Sequence, residues 1–247
     1  HIKRIFLLTC AILGTNGALA KNAGDIKFES LANRYIERYL TTHPESATAL
    51  GDHRFDARTT DLSMRGVAAD RALYQSTLKQ LTAISASSLS PNDAVDKAIL
   101  ENELRGRLFD TEVLREAERN PLNYNPSNGI YGLLARDFAP LKSRLISVQA
   151  RLEAVPKVVA AAQANLKNPP RVFTETAIMQ NKGAISLVRG EPEQDHKHET
   201  TMREKQAPAQ ASAIAALEAY GQWLETDLLP RSTGDFRIGK AAFSKKL

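Results

Sequence analysis

Cysteine occurs once in the 247 residues, as Cys10, and histidine five times. A single thiol excludes an internal disulfide framework and any multi-cysteine metal site. Aromatic residues make up 6% of the chain, and no convincing alternation of apolar and polar residues occurs. A β-sandwich or barrel therefore has little to build on, DFRIG being the single candidate strand. Three catalytic signatures are missing: the zinc-hydrolase helix H-E-x-x-H, the nucleophile elbow G-x-S-x-G and the phosphate loop G-x-x-x-x-G-K-[ST]. No stripe of lysine and arginine with interleaved aromatics appears, so nucleic acid is not an expected partner. The longest apolar run, Ile5 to Leu13, is too short for a membrane span.

That short run carries its own message. Lys3 and Arg4 precede it, and small residues at Ala18 and Ala20 follow, which is the layout of a secretory signal peptide cleaved after Ala20. Residues 1–20 are accordingly read as a leader and 21–247 as one domain, exported to the periplasm or beyond. Cys10 lies within the leader, where LLTC only weakly resembles a lipoprotein acylation box. Without Lys3 and Arg4 the formal excess of positive charge falls from +5 to +3. The remaining charges alternate in sign, as on solvated helix faces.

Hydrophobic residues make up 43% of the chain, with alanine and leucine dominant. Such side chains lose little freedom in a helix, so the composition favours close-packed helices. The expected fold is all-α, built of helical hairpins. Phe28, Leu31, Ala32, Tyr35, Ile36, Tyr39 and Leu40 repeat with helical spacing and predict a first helix ending at His43. Pro44 opens a short second helix that Gly51 closes. A third is predicted from Arg65 to Ile84. Ser90, Pro91 and Asp93 form a capped start, and that helix is predicted to reach Arg119 with Val95, Ile99, Leu104 and Leu108 inward. NPLNYNPSNGIYG reads as the longest irregular stretch. Helices resume near Leu141, again at Pro156, and after a break at Pro169-Pro170, where Thr174 is placed to cap the next one. A charged connector, RGEPEQDHKHETTMREKQAP, leads to a last long helix from Ala209 to Leu229.

Candidate chemistry is sparse. His196, His198 and Glu199 share the charged connector, where two solvated histidines are expected rather than metal ligands, since a metal site needs further convergent ligands. Glu101, Glu103, Glu112 and Glu116 suit solvated helix faces with arginine neighbours better than acid–base work. NYNPSNGIYGLLARDFAP concentrates tyrosine, asparagine and glycine around an Arg136-Asp137 pair. It reads either as a ligand-facing loop presenting Tyr124, Tyr131, Arg136 and Asp137, or as a connection whose tyrosines pack on the core. No catalytic or metal residue is assigned.

Four segments in order, HPESATALGDHRFDARTTDLS, LLARDFAPLKSRL, NLKNPPRVFTETAI and WLETDLLPRSTGDFRIG, resemble the N-terminal half of the bacterial family known as domain of unknown function 885. The resemblance covers His43 to Gly239. It implies a mostly helical, exported protein similar to zinc metallopeptidases, with zinc bound by an H-E-x-x-H helix in a C-terminal half and peptide as substrate. On that reading this chain is expected to be a helical part that stops before the zinc site, inactive as written. The competing expectation is a non-catalytic helical binding or scaffold protein of the cell envelope.

Overall fold

The computed structural model describes residues 22–190 and 200–246; the leader and His196, His198 and Glu199 lie outside the described residues. The fold is all-α. In order the helices are α1 (Ala23–Thr42), α2 (Pro44–Leu50), α3 (Met64–Thr82), α4 (Pro91–Leu108), α5 (Glu116–Arg119), α6 (Ser127–Ala135), α7 (Leu141–Asn165), α8 (Arg171–Arg189), α9 (Thr200–Trp223) and α10 (Gly239–Lys246). Among the described residues no strand forms, and DFRIG is not one.

Local chemistry sets several boundaries. The Asn22 side chain accepts from the Asp25 amide at 2.8 Å, and the Ser63 and Ser90 hydroxyls accept from Gly66 and Asp93 amides, each at 3.3 Å. These satisfy donors that a helix start leaves without partners. Gly51 ends α2 at φ +92°, a conformation costly for any residue with a Cβ,.

Two apolar clusters result. The first unites α1 to α4 through Phe28, Leu31, Tyr35, Tyr39, Tyr74, Leu81, Leu100 and Leu104. The second unites α6 to α9 through Leu133, Val148, Leu152, Val155, Ala184, Ala213, Leu217 and Leu224, with α9 lying along α7.

Several expectations need correcting. Val95 and Ile99 are 59% and 46% exposed, while Leu104 is buried as expected, Leu108 packs partly buried on the same cluster, and Leu100 takes the inward place given to Ile99. The helix from Pro91 does not run to Arg119. It widens into a π-helical turn over Phe109–Leu114 and breaks at Arg115, which adopts φ +55°. NPLNYNPSNGIYG is largely regular, as a 3₁₀ turn over Pro121–Tyr124 followed by α6. Pro156 starts no new segment but sits inside α7. Likewise α9 begins at Thr200, ahead of Pro208. Thr174 caps nothing: it is fully buried one turn into α8, its hydroxyl 2.8 Å from that of Ser232.

The Pro169-Pro170 break is a docking point. Both prolines are fully buried, and Pro170 pairs with Gly234 in an isolated parallel bridge. The Gly234 amide donates to the Pro169 carbonyl at 3.1 Å, and Asn168 accepts from the Thr233 amide at 2.8 Å. A Cβ on Gly234 would stand 2.5 Å from the Asn168 carbonyl oxygen, so only glycine allows this approach. Two of the four segments quoted above thus meet at one joint.

Candidate functional site: a cleft between the two cores

A third segment, His43 to Ser63, borders a cavity of about 260 Å³ where the two clusters face each other. One wall is the α1–α2 junction and the loop after it: His43, Glu45, Ser46, Thr59, Thr60 and Leu62. The other is the 3₁₀ turn, the start of α6 and the middle of α7, which contribute Asn123, Asn125, Asn128, Gly129, Ile130 and Arg151. Its size is near the lower end of the range for small-ligand sites.

Arg151 forms the floor. It is 2% exposed, and its guanidinium donates to the Gly129 carbonyl and, at 2.7 Å, to the Thr48 hydroxyl. Its Nε is buried without a partner. Thr48 donates to the buried Asp56 carboxylate at 2.6 Å, and Asp56 also meets His53 Nδ1 at 3.0 Å. A polar chain therefore runs from the His53 ring, stacked on Phe138 at 3.5 Å, through Asp56 and Thr48 to Arg151. Burial depresses the Arg151 pKa, and the charges of Glu45 and Asp56 oppose that shift,.

Glu45 is held differently. Its carboxylate accepts from the Thr60 hydroxyl at 2.5 Å and from the Thr60 amide at 3.2 Å. Among the described residues it makes no ion pair, although a Cβ on Gly129 would lie 2.9 Å from Glu45 Cγ and 3.3 Å from an Arg151 terminal nitrogen. Glycine at 129 keeps the two charged groups close without filling the space between them. Ser46, Thr59, Asn123 and Asn128 line the cavity with side chains that make no hydrogen bond to the protein. His43 is committed to the Tyr39 carbonyl at 3.1 Å and to Asp70 at 3.2 Å.

The four residues proposed for a ligand-facing loop do not converge. Tyr124 is 3% exposed and donates to the Ala117 carbonyl at 2.6 Å, while Tyr131 is 55% exposed on α6. Arg136 reaches the Ala49 carbonyl at 3.1 Å. Asp137 pairs not with Arg136 but with Arg144, at 2.7 Å, and Arg144 also donates to the carbonyls of Leu133, Leu134 and Ala139. The stretch does line the cavity, but through Asn123, Asn125, Asn128 and Gly129. Glu45 and Arg151 carried no sequence signal: they stand far apart in the chain and match no motif.

The helical carboxylates pair within their own faces, Glu101 with Lys97 at 2.6 Å and Glu103 with Arg107 at 2.8 Å. Among the described residues no three histidine, cysteine, aspartate or glutamate side chains stand together as a metal site, and no helix is long and apolar enough to cross a membrane.

Comparison with known proteins places this geometry. Residues 44–247 match the profile of the family described as "Bacterial protein of unknown function (DUF885)". The chain belongs to this family. Among solved structures it is similar to a "putative lipoprotein of unknown function" from Shewanella oneidensis, with a TM-score of 0.76 and 25% identity over 89% of this chain. The match spans 41% of that protein's chain. No curated protein matches significantly. The matched DUF885 region includes every residue that lines the cleft except His43.

Proposed function

We propose that this chain is the N-terminal, substrate-facing helical part of an exported peptidase-like zinc hydrolase, and that an extended peptide lies in the cleft between the two cores. One observation carries the reading: the cleft wall offers uncommitted amide and hydroxyl groups on Ser46, Thr59, Asn123 and Asn128 beside a charged pair. Asparagine side chains reproduce the donor and acceptor of a peptide unit, so they complement a backbone laid beside them. Membership of the DUF885 family, the leader-like residues 1–20 and likeness to a lipoprotein support an exported protein.

Zinc is implied by the resemblance to metallopeptidases. The described residues do not fit it, having no group of ligands that could hold a metal. In this reading they bind and orient substrate, and bond cleavage belongs to the rest of a longer architecture. That the chain matches only 41% of its structural neighbour agrees with such a division.

The test uses the exported protein that contains this chain, incubated with a mixed peptide library with and without a zinc chelator. Chelator-sensitive cleavage is expected, with KM raised roughly tenfold by Asn128→Ala, as expected for a lost substrate hydrogen bond of about 1.4 kcal/mol. Absence of both peptide cleavage and peptide binding would overturn the reading.

A further inference from the structure

We infer that the cleft selects peptides carrying a positive group, which it holds against Glu45. The inference rests on the peptide reading above and adds a charge preference to it. Glu45 lines the cavity, and its carboxylate is fixed by two donors from Thr60 rather than by any cation. A carboxylate accepts at about four lone-pair positions, so after the Thr60 contacts it retains acceptor capacity on the cavity side.

The surrounding charges favour a cation. Arg151 is the cationic side chain in the lining, but its terminal nitrogens are committed to Gly129 and Thr48, and it is almost wholly buried. Its field is shared with Asp56, which stands behind Thr48. Asp70 adds a further acidic group behind His43. Three carboxylates thus surround the wall that Arg151 supports, and a ligand cation entering there gives Glu45 an ion pair that it does not make among the described residues. A Cβ at position 129 would stand 2.9 Å from Glu45 Cγ, so glycine there leaves the carboxylate undisplaced. Uncommitted amides at Asn123 and Asn128 would meet the adjoining peptide units.

An ammonium can come from a peptide's free N-terminus or from a lysine side chain, and the experiment separates them. Fluorescence polarisation on the exported protein containing this chain compares four labelled peptides of one sequence: free or acetylated at the N-terminus, each with lysine or norleucine at one internal position. At least one ammonium should tighten binding about tenfold over the acetylated norleucine peptide. Glu45→Gln, which can still accept from Thr60, should abolish that preference while leaving the acetylated norleucine peptide bound as before. Gly129→Ala should weaken the cationic peptides selectively, with helical content checked by circular dichroism. Equal binding of all four peptides, or a preference that survives Glu45→Gln, overturns the charge inference and leaves the peptide reading standing. If none binds, the peptide reading itself fails.

Discussion

Arg151 shows what a buried charge does at the joint between two cores. Its desolvation is costly, and the cost is offset only because Thr48, the Gly129 carbonyl and nearby carboxylates surround it,. Arg151→Met would leave the Gly129 carbonyl without its donor and remove the positive charge linked to buried Asp56 through Thr48. The expected loss is about 3–5 kcal/mol, read as a fall in the urea midpoint at unchanged slope. A loss below about 1 kcal/mol would show that Arg151 is carried rather than needed. Asp93 makes a second test at this scale. Burial, then a hydrogen bond with Asp25, pushes its pKa from 3.8 up to about 6. Above pH 6 the folded chain bears an ionised carboxylate that the unfolded chain accommodates better. As pH falls from 6 towards 3.8 the folded state takes up a proton first, so this residue's contribution to stability rises on acidification. Asp93→Asn should therefore raise the melting temperature at pH 7, do so less at pH 5, and have little effect below pH 4. A uniform shift at all three would remove Asp93 as the titrating group. Arg151 was not legible from sequence, and Asp93 was legible only as part of the capped start at Ser90, because the partners that matter here are brought together only by the fold.

At the scale of elements, the pairing of the Asn168–Pro170 turn with Ser232–Gly234 fixes how α8 leaves α7. The two prolines end one helix and pre-set the backbone before the next, but the direction comes from the Gly234 contact. Gly234→Ala would force a Cβ to 2.5 Å from a backbone oxygen, which cannot rotate away. Opening the joint also weakens the bonds from Asn168 to Thr233 and from Thr174 to Ser232. A loss of about 1–3 kcal/mol is expected, with faster amide exchange at Thr233 and Gly234; an unchanged denaturation curve would count against the joint. The helix start marked by Ser90 was readable because capping is local chemistry, whereas Thr174, read the same way, caps nothing. Interruptions were misread in both directions. Pro156 and Pro208 sit inside long helices because packing on neighbours outweighs the bonds each proline removes,. Arg115, which no propensity rule marks, breaks the helix after Leu108, and its side chain is held by Glu118 at 2.5–3.0 Å. Tertiary packing decided the two proline cases, and a local ion pair accompanies the third.

At the scale of the molecule, the division into two apolar clusters is what creates the cleft, and it has a thermodynamic consequence. Contacts across the divide include the Thr48–Arg151 bond, the Arg136 bond to the Ala49 carbonyl, the Asn165 bond to the Leu62 carbonyl at 2.8 Å and the His53–Phe138 stack. These are mostly polar and lie around the cleft, so each contributes roughly 0.5–1.5 kcal/mol, or more where a charge is buried. Within each cluster, by contrast, several large side chains are wholly enclosed, among them Leu81 and Leu104 on one side and Leu217, Leu224 and Leu228 on the other. Burying each such side chain contributes about 1.5–3 kcal/mol. Cohesion inside the clusters therefore exceeds cohesion between them, the condition under which a protein opens in separate cooperative units. Native-state hydrogen exchange in low urea should show the amides around Leu100 and Leu104 opening at one free energy and those around Leu217 and Leu224 at another. Arg151→Met should widen the difference, since it removes coupling without touching either core. A single opening free energy shared by all four amides, in both proteins, would show that the cleft is spanned by more than these contacts supply.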